Sequence, residues 1–178
     1  MQQNELTHCA ATDVTDMIDA TIHSSREIKM TDRVILQREF SELMNRLHES
    51  ILKYAADRAE HHECDVYLCV NTKAHSGQIL ERIFEKSAIN KLKSNEVIKV
   101  YGRKMSLHTT LTLNKNYLPE GVYLLFFPGA DLLKAVEYQS SLNHAYEIIV
   151  FTEADGHTEA TDQWMSEYDV RTLQNAKE

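Results

Sequence analysis

The chain has 178 residues, of which 43% are hydrophobic, and a formal net charge of −8 at neutral pH. This length suits a single domain whose core needs neither disulfides nor metal ions. The negative charge argues against a protein built around non-specific nucleic-acid binding, although it leaves room for a local basic patch. No apolar stretch approaches the roughly 20 residues that a membrane span requires.

The cysteines and the N-terminus bear on the cellular compartment. Three cysteines are an odd number, and Cys69 lies inside an apolar run, so we expect reduced thiols and a cytoplasmic protein. The first residues have neither a basic leader nor an apolar core, so no signal peptide is expected.

The first 60 residues are predicted to form an arm and a long helix. Residues 1–30 are polar and acidic, and we expect them to be poorly ordered or to lie on the surface. Residues 31–60 are predicted to be one amphipathic helix, which Thr31 or Asp32 can cap. Its apolar stripe, with alternating spacings of four and three, consists of Leu36, Phe40, Leu43, Leu47, Ile51 and Tyr54.

This stripe has two interpretations. An amphipathic helix usually packs on the sheet of its own domain. The predicted length is well above that of an average helix, however, and a long stripe also suits a helix that pairs with a second copy. A homodimer through residues 31–60 is therefore the expected assembly.

The α/β domain is predicted to occupy residues 61–178. A strand over 64–70 is followed by a helix over 76–91, which Ser76 can cap, and by a strand over 96–101. Residues 106–113 alternate in hydrophobicity like a half-exposed strand. Because its connections are short, this strand is expected to run antiparallel to both of its neighbours in sequence.

The clearest unit lies further on. Residues 122–127 and 147–152 are apolar without alternation, which is typical of strands buried on both faces. A helix over 132–145 joins them, so they should be parallel neighbours in a βαβ unit. A helix over 159–168, capped by Thr158, and a short strand over 170–173 complete an α/β three-layer sandwich with about six strands, one of them antiparallel.

No catalytic signature of the common nucleotide-binding, hydrolase, metalloprotease or thiol-redox kinds occurs in the chain. We therefore expect no cofactor and no metal ion.

One group of polar residues arises from topology. In open α/β sheets, ligands bind at the carboxyl ends of the parallel strands. Lys73, Ser76 and Arg103 could there hold a small anion beside a helix N-terminus. The alternative is that loop residues are polar everywhere and that Asp131 is a helix-capping residue. The candidate ligand-binding residues are Asn71, Lys73, His75, Ser76, Arg103, Asp131, Glu153, Asp155 and His157.

From Gly77 onwards the predicted order is helix, three strands, helix, strand. This order resembles the core of PD-(D/E)xK nucleases of the restriction-endonuclease type. The resemblance implies a metal-dependent nuclease fold with an acidic residue and a lysine on its third strand. The matching strand here is VYLLFFPG, which has neither, so the resemblance implies a catalytically inactive domain that binds nucleic acid.

Three functions follow from these patterns. The preferred one is a non-enzymatic intracellular binding or regulatory protein that acts through protein–protein contacts. The second is an enzyme or sensor for a small anionic ligand at the strand ends. The third is the inactive nuclease-like domain, which the net charge disfavours.

Overall fold

The computed structural model describes residues 30–38, 47–74, 76–154 and 159–173. Within these ranges there are seven strands and six helices. In chain order they are β1 (Asp32–Arg38), α1 (Leu47–His61), β2 (Asp65–Val70), α2 (Ser76–Leu80), α3 (Lys86–Lys93), β3 (Ile98–Val100), β4 (Arg103–Thr109), α4 (Thr110–Lys115), β5 (Gly121–Phe126), α5 (Ala130–Ser141), β6 (Ala145–Glu153), α6 (Glu159–Glu167) and β7 (Arg171–Thr172).

The strands form one mixed sheet in the order β3-β4-β2-β5-β6-β1-β7. Only β3 and β4 are antiparallel, and every other neighbouring pair is parallel. The predicted βαβ unit is confirmed, because β5 and β6 are parallel neighbours at the centre of the sheet. All six residues of β5 are buried, as strands covered on both faces should be.

The helices divide between the two faces of the sheet. On one face, which we call the α1 face, the side chains of the sheet pack against α1, α2 and α3. On the other, which we call the α5 face, they pack against α4, α5 and α6. Crossovers that move towards β3 run over the α1 face, and those that move towards β7 run over the α5 face. This arrangement follows from the uniform right-handedness of parallel crossovers.

The predicted helix over 31–60 is wrong in its first part. Strand β1 lies between β6 and β7, and Val34, Ile35 and Leu36 are buried in succession. Val34 and Leu36 join the core on the α1 face, whereas Ile35 joins the core on the α5 face. The predicted stripe includes only Leu36 of these three residues. Together the three form a short apolar run that is buried on both faces, which is typical of a strand.

The second part of the predicted helix is α1. Ile51 and Tyr54 are buried in the core against the sheet, so this part of the stripe packs on its own domain and is not available to a second copy. Phe40 and Leu43 lie outside the described residues, as do residues 1–29. The expected homodimer remains a prediction that would need another surface.

The predicted strand over 106–113 is confirmed for residues 106–109, which belong to β4, but residues 110–113 are helical. Its antiparallel direction is correct relative to β3 and wrong relative to β5, so β3 is the strand that runs against the rest of the sheet. Tyr101 and Gly102 have φ values of 48° and 79° and form a two-residue turn that reverses the chain between β3 and β4. Strand β4 therefore runs parallel to β2. It ends at Thr109, whose side chain and that of Thr112 form a capping box that starts α4.

This arrangement also removes the basis of the nuclease resemblance, which rested on three successive strands. Helix α4 separates β4 from β5 in the chain, and β2 lies between them in the sheet.

The predicted helix over 76–91 is two short helices, α2 and α3. The turn between them allows Ile83 and Phe84 to pack against the same core as Leu80 and Ile89. The last helix and strand are close to their predicted bounds, as α6 and β7.

Candidate functional site at the strand ends

A cleft opens where the chain leaves β2 and β5. These strands are neighbours, but the chain leaves β2 over the α1 face and leaves β5 over the α5 face. Such a switch point leaves a crevice at the carboxyl ends of the strands, where ligands bind in open α/β sheets. The cleft measures about 510 Å³ and is lined by Asn71, Thr72, Thr110, Leu111, Asn114, Gly129, Ala130 and Asp131.

Asn71 fixes the floor of the cleft. Its Nδ2 donates to the carbonyl of Phe127 at 2.8 Å, and its Oδ1 accepts from the amide of Gly129 at 2.8 Å. These two bonds tie the end of β2 to the loop that follows β5. Asn71 therefore positions the cleft rather than offering a free amide to a ligand.

One wall is the start of α4. The capping box at Thr109 ends β4 and turns the chain so that Thr110, Leu111 and Asn114 line the cleft. Leu111 is 61% exposed, which agrees with a position at an open rim. This wall was not predicted, because the alternation over 106–113 was interpreted as a strand.

The opposite wall is the start of α5. Gly129 is the N-cap residue and, as a glycine, has no side chain that could cap the helix. Asp131 lies in the first helical turn, where its carboxylate interacts favourably with the positive end of the helix dipole. An anionic ligand would have to compete with this carboxylate.

The predicted anion site is not assembled. Lys73 Nζ donates to the carbonyl of Lys93 at 2.8 Å and to Asn95 Oδ1 at 2.6 Å, so this cation closes the C-terminal end of α3. Arg103 is the first residue of β4. Because β4 is parallel to β2, Arg103 lies at the opposite edge of the sheet, where its Nη2 is 3.9 Å from Glu60.

The other candidates are distributed differently. Ser76 is fully buried, and its hydroxyl donates to the carbonyl of Lys73 at 2.7 Å, so it neither caps α2 nor faces a ligand. Glu153 is the last residue of β6. His75, Asp155 and His157 lie outside the described residues. Of the nine candidates, the structure places Asn71 and Asp131 in the cleft.

A serine–histidine pair lies two residues before the cleft wall. Ser106 Oγ is 2.9 Å from His108 Nε2, and the His108 ring packs edge-on against Tyr67. Burial, assisted by the positive charge of Lys73, lowers the pKa of His108 to about 4, so its imidazole is neutral at pH 7. No described carboxylate bonds to this imidazole, so the pair lacks the third member of a catalytic triad.

Comparisons of the chain with protein-family models, curated proteins and solved structures found no match. In the described ranges, no helix is long and apolar enough to cross a membrane. The same ranges hold no cluster of three or more side chains that could bind a metal ion.

Proposed function

We propose that this chain is a binding protein whose ligand is a small, uncharged, hydroxyl-bearing molecule, such as a sugar or a nucleoside, held in the strand-end cleft. The observation that carries the proposal is a cleft with five polar side chains among its eight lining residues, at the point where β2 and β5 send the chain to opposite faces of the sheet. Its volume of about 510 Å³ falls within the range usual for small-molecule sites.

The lining favours hydroxyl groups over charged groups on the ligand. Thr110 and Asn114 can each donate and accept hydrogen bonds, and Asp131 can accept them. No lining residue is a cation, so a phosphate or carboxylate would find no counter-ion there. The alternative of a small anionic ligand loses support accordingly, because Lys73 is bonded to the end of α3 and Arg103 lies at the opposite ends of the strands.

The proposal assigns no chemical step to the cleft. Its lining residues include no histidine, cysteine or lysine. Binding of a small molecule is compatible with the preferred prediction of a regulatory protein, since a ligand in the cleft would contact both α4 and α5.

Three broader features belong to the same proposal. The packing of helices against both core clusters supports a three-layer sandwich. Cys69 is a buried free thiol, which favours a reducing cytoplasm. A homodimer would use a surface other than the buried part of the α1 stripe.

The test is a ligand screen by thermal unfolding, because a ligand of the native state raises the midpoint in proportion to its occupancy. The panel pairs each neutral compound with its phosphorylated form, for example ribose with ribose 5-phosphate and adenosine with AMP. We expect the neutral member of at least one pair to raise the midpoint more than the phosphorylated member.

Variants locate the binding. Asn114→Ala and Asp131→Ala should each abolish the shift. The matched control is Asn90→Ala, because Asn90 is an exposed residue of α3 on the other face and should leave the shift unchanged. A larger shift with the phosphorylated compounds would establish the anionic alternative, and no shift with any compound would leave only binding through protein–protein contacts.

A further inference from the structure

The strongest charge asymmetry lies at the β3 end of the sheet. Residues 86–104 contain six cationic side chains and one acidic one, a net charge of +5, so the rest of the chain carries −13 against a total of −8. The segment comprises α3, β3 and the start of β4. We call its hairpin residues Val97, Lys99, Tyr101, Arg103 and Lys104 the basic edge.

Two lysines of the basic edge are held face to face. The strand register places Lys99 directly opposite Lys104, and both are exposed. Like charges at directly opposed positions destabilise an antiparallel pair. Neither lysine forms an ion pair with a carboxylate in the described part of the chain. The pair therefore opposes folding of the hairpin and is not explained by it.

The other cation of the basic edge is only loosely neutralised. Arg103 lies 3.9 Å from Glu60, whose side chain is 71% exposed. Such a surface pair contributes little. Lys86 and Lys91 add exposed positive charge on α3, which packs beside β3 and β4. The potential at this end of the sheet is therefore positive, in a chain that is otherwise acidic.

The basic edge also offers a strand with an open side. Among the described strands, β3 and β7 are the two terminal ones, and β3 has β4 as its only neighbour. Backbone groups on the other side can pair with an added strand. The side chains that flank β3 are apolar and exposed, since Val97 is 54% and Tyr101 49% accessible.

We propose that the basic edge binds an extended, acidic peptide segment, which lies along β3 as an additional strand with its carboxylates towards Lys99 and Lys104. The open side of β3 supplies backbone hydrogen bonds, Val97 and Tyr101 supply apolar contacts, and the two lysines supply charge complementarity. Relief of the repulsion between the lysines then adds to the affinity.

A peptide fits better than a nucleic acid. Nucleic acid carries a negative charge at every nucleotide and would extend beyond a three-residue strand over surface that belongs to the acidic remainder. Non-specific single-strand binding also needs a series of stacked aromatic rings, whereas Tyr101 is the one aromatic residue of the hairpin.

The experiment uses the full chain and a fluorescein-labelled peptide of alternating glutamate and valine, followed by fluorescence anisotropy at low salt, at about one-tenth of physiological ionic strength. We expect saturable binding that weakens as salt is added. The double variant Lys99→Glu and Lys104→Glu should weaken binding by about tenfold or more, because repulsion replaces attraction.

The matched control is the double variant Lys115→Glu and Lys134→Glu, which makes the same change in net charge at exposed positions on α4 and α5. It should retain most of the affinity. Hydrogen exchange should also slow at residues 97–101 when the peptide is bound, since added strand pairing protects backbone amides.

Three results would overturn the proposal. They are absence of binding at low salt, equal losses in the two double variants, and tighter binding of an oligothymidylate than of the peptide. Absence of binding at low salt would mean that the two lysines only prevent this edge strand from pairing with other chains. None of these results bears on the cleft, which lies at the carboxyl ends of β2 and β5.

Discussion

The sheet has one edge at the amino ends of the parallel strands and one at their carboxyl ends. Each edge contains a carboxylate side chain, but the two carboxylates have different roles. At the amino-terminal edge, the carboxylate of Glu147 is fully buried and accepts hydrogen bonds from Tyr54 and Arg58. At the carboxyl-terminal edge, the carboxylate of Asp131 is exposed and lines a cleft. The first carboxylate is committed to the fold, whereas the second is accessible to a ligand.

The amino-terminal network joins four elements, α1, β6, β1 and β7. Arg58 of α1 also lies 3.4 Å from Asp32 of β1, and Arg171 of β7 donates to the Tyr54 hydroxyl at 3.3 Å. Burial and the negative charge of Glu147 raise the pKa of Tyr54, which keeps its hydroxyl protonated as a donor. Helix α1 is thereby fixed to the sheet at the edge away from the cleft.

A second network fixes the other face. Arg33 of β1 donates from Nε and Nη2 to Glu137 of α5 at 2.9 and 2.7 Å, and the indole of Trp164 donates to the same carboxylate at 2.7 Å. The guanidinium of Arg33 also lies 4.6 Å from the ring centre of Tyr168. Helices on both faces are thus held by buried or half-buried charged groups.

Removal of the two carboxylates compares the edges most directly. Glu147→Ala leaves Arg58 without its main partner and should lower the free energy of unfolding by about 3–5 kcal/mol, as loss of one member of a buried pair usually does. Asp131→Ala should change it much less, because Asp131 is exposed. Urea unfolding of both variants measures the difference, and equal losses would show that the edges are not distinct.

Two glycines provide the next contrast. A Cβ at Gly121, the first residue of β5, would lie 2.3 Å from Cε2 of Tyr67 and 3.0 Å from the carbonyl of Asp65, whereas one at Gly129 in the cleft would meet Asn71 Oδ1 at 3.4 Å. Gly121→Ala should therefore cost about 1–3 kcal/mol, the usual range for overpacking. Gly129→Ala should have a smaller effect on the unfolding midpoint. A Gly121→Ala chain as stable as the parent would contradict this packing.

Removal of the hydroxyl group from two buried tyrosines is expected to change the stability of the protein in opposite directions. Tyr54→Phe removes a donor to a buried carboxylate and should lower stability by about 2 kcal/mol. The Tyr123 hydroxyl is buried without a hydrogen-bond partner among the described residues, so Tyr123→Phe should raise stability by about 1 kcal/mol. Chemical unfolding of both variants tests this, and a destabilised Tyr123→Phe chain would reveal a partner for that hydroxyl.

Several elements could be predicted from local sequence. The unbroken apolar runs of β2, β5 and β6 identify strands buried on both faces. The segment between β5 and β6 is too long for a hairpin and suits a crossover helix. These runs place the centre of the sheet correctly. Of the cleft, Asn71 and Asp131 could be anticipated, because each follows a central strand.

The remaining features depend on tertiary structure. Leu36 fits a helical stripe and a buried strand equally well, and only pairing of β1 between β6 and β7 decides for the strand. Thr109 and Leu111 continue an alternating pattern, yet the capping box of Thr109 turns the chain into α4 and creates a wall of the cleft.

The direction of one strand decided the site. Because Arg103 follows β3 in the chain, the sequence predicts that it lies at the carboxyl ends of the strands, beside Lys73. The turn at Tyr101 and Gly102 makes β3 antiparallel, which moves Arg103 to the opposite edge of the sheet. The sequence by itself determined which segments are buried, because burial follows from local hydrophobicity. Strand direction and order depend on contacts between distant segments, and so only the tertiary structure decided which polar residues meet.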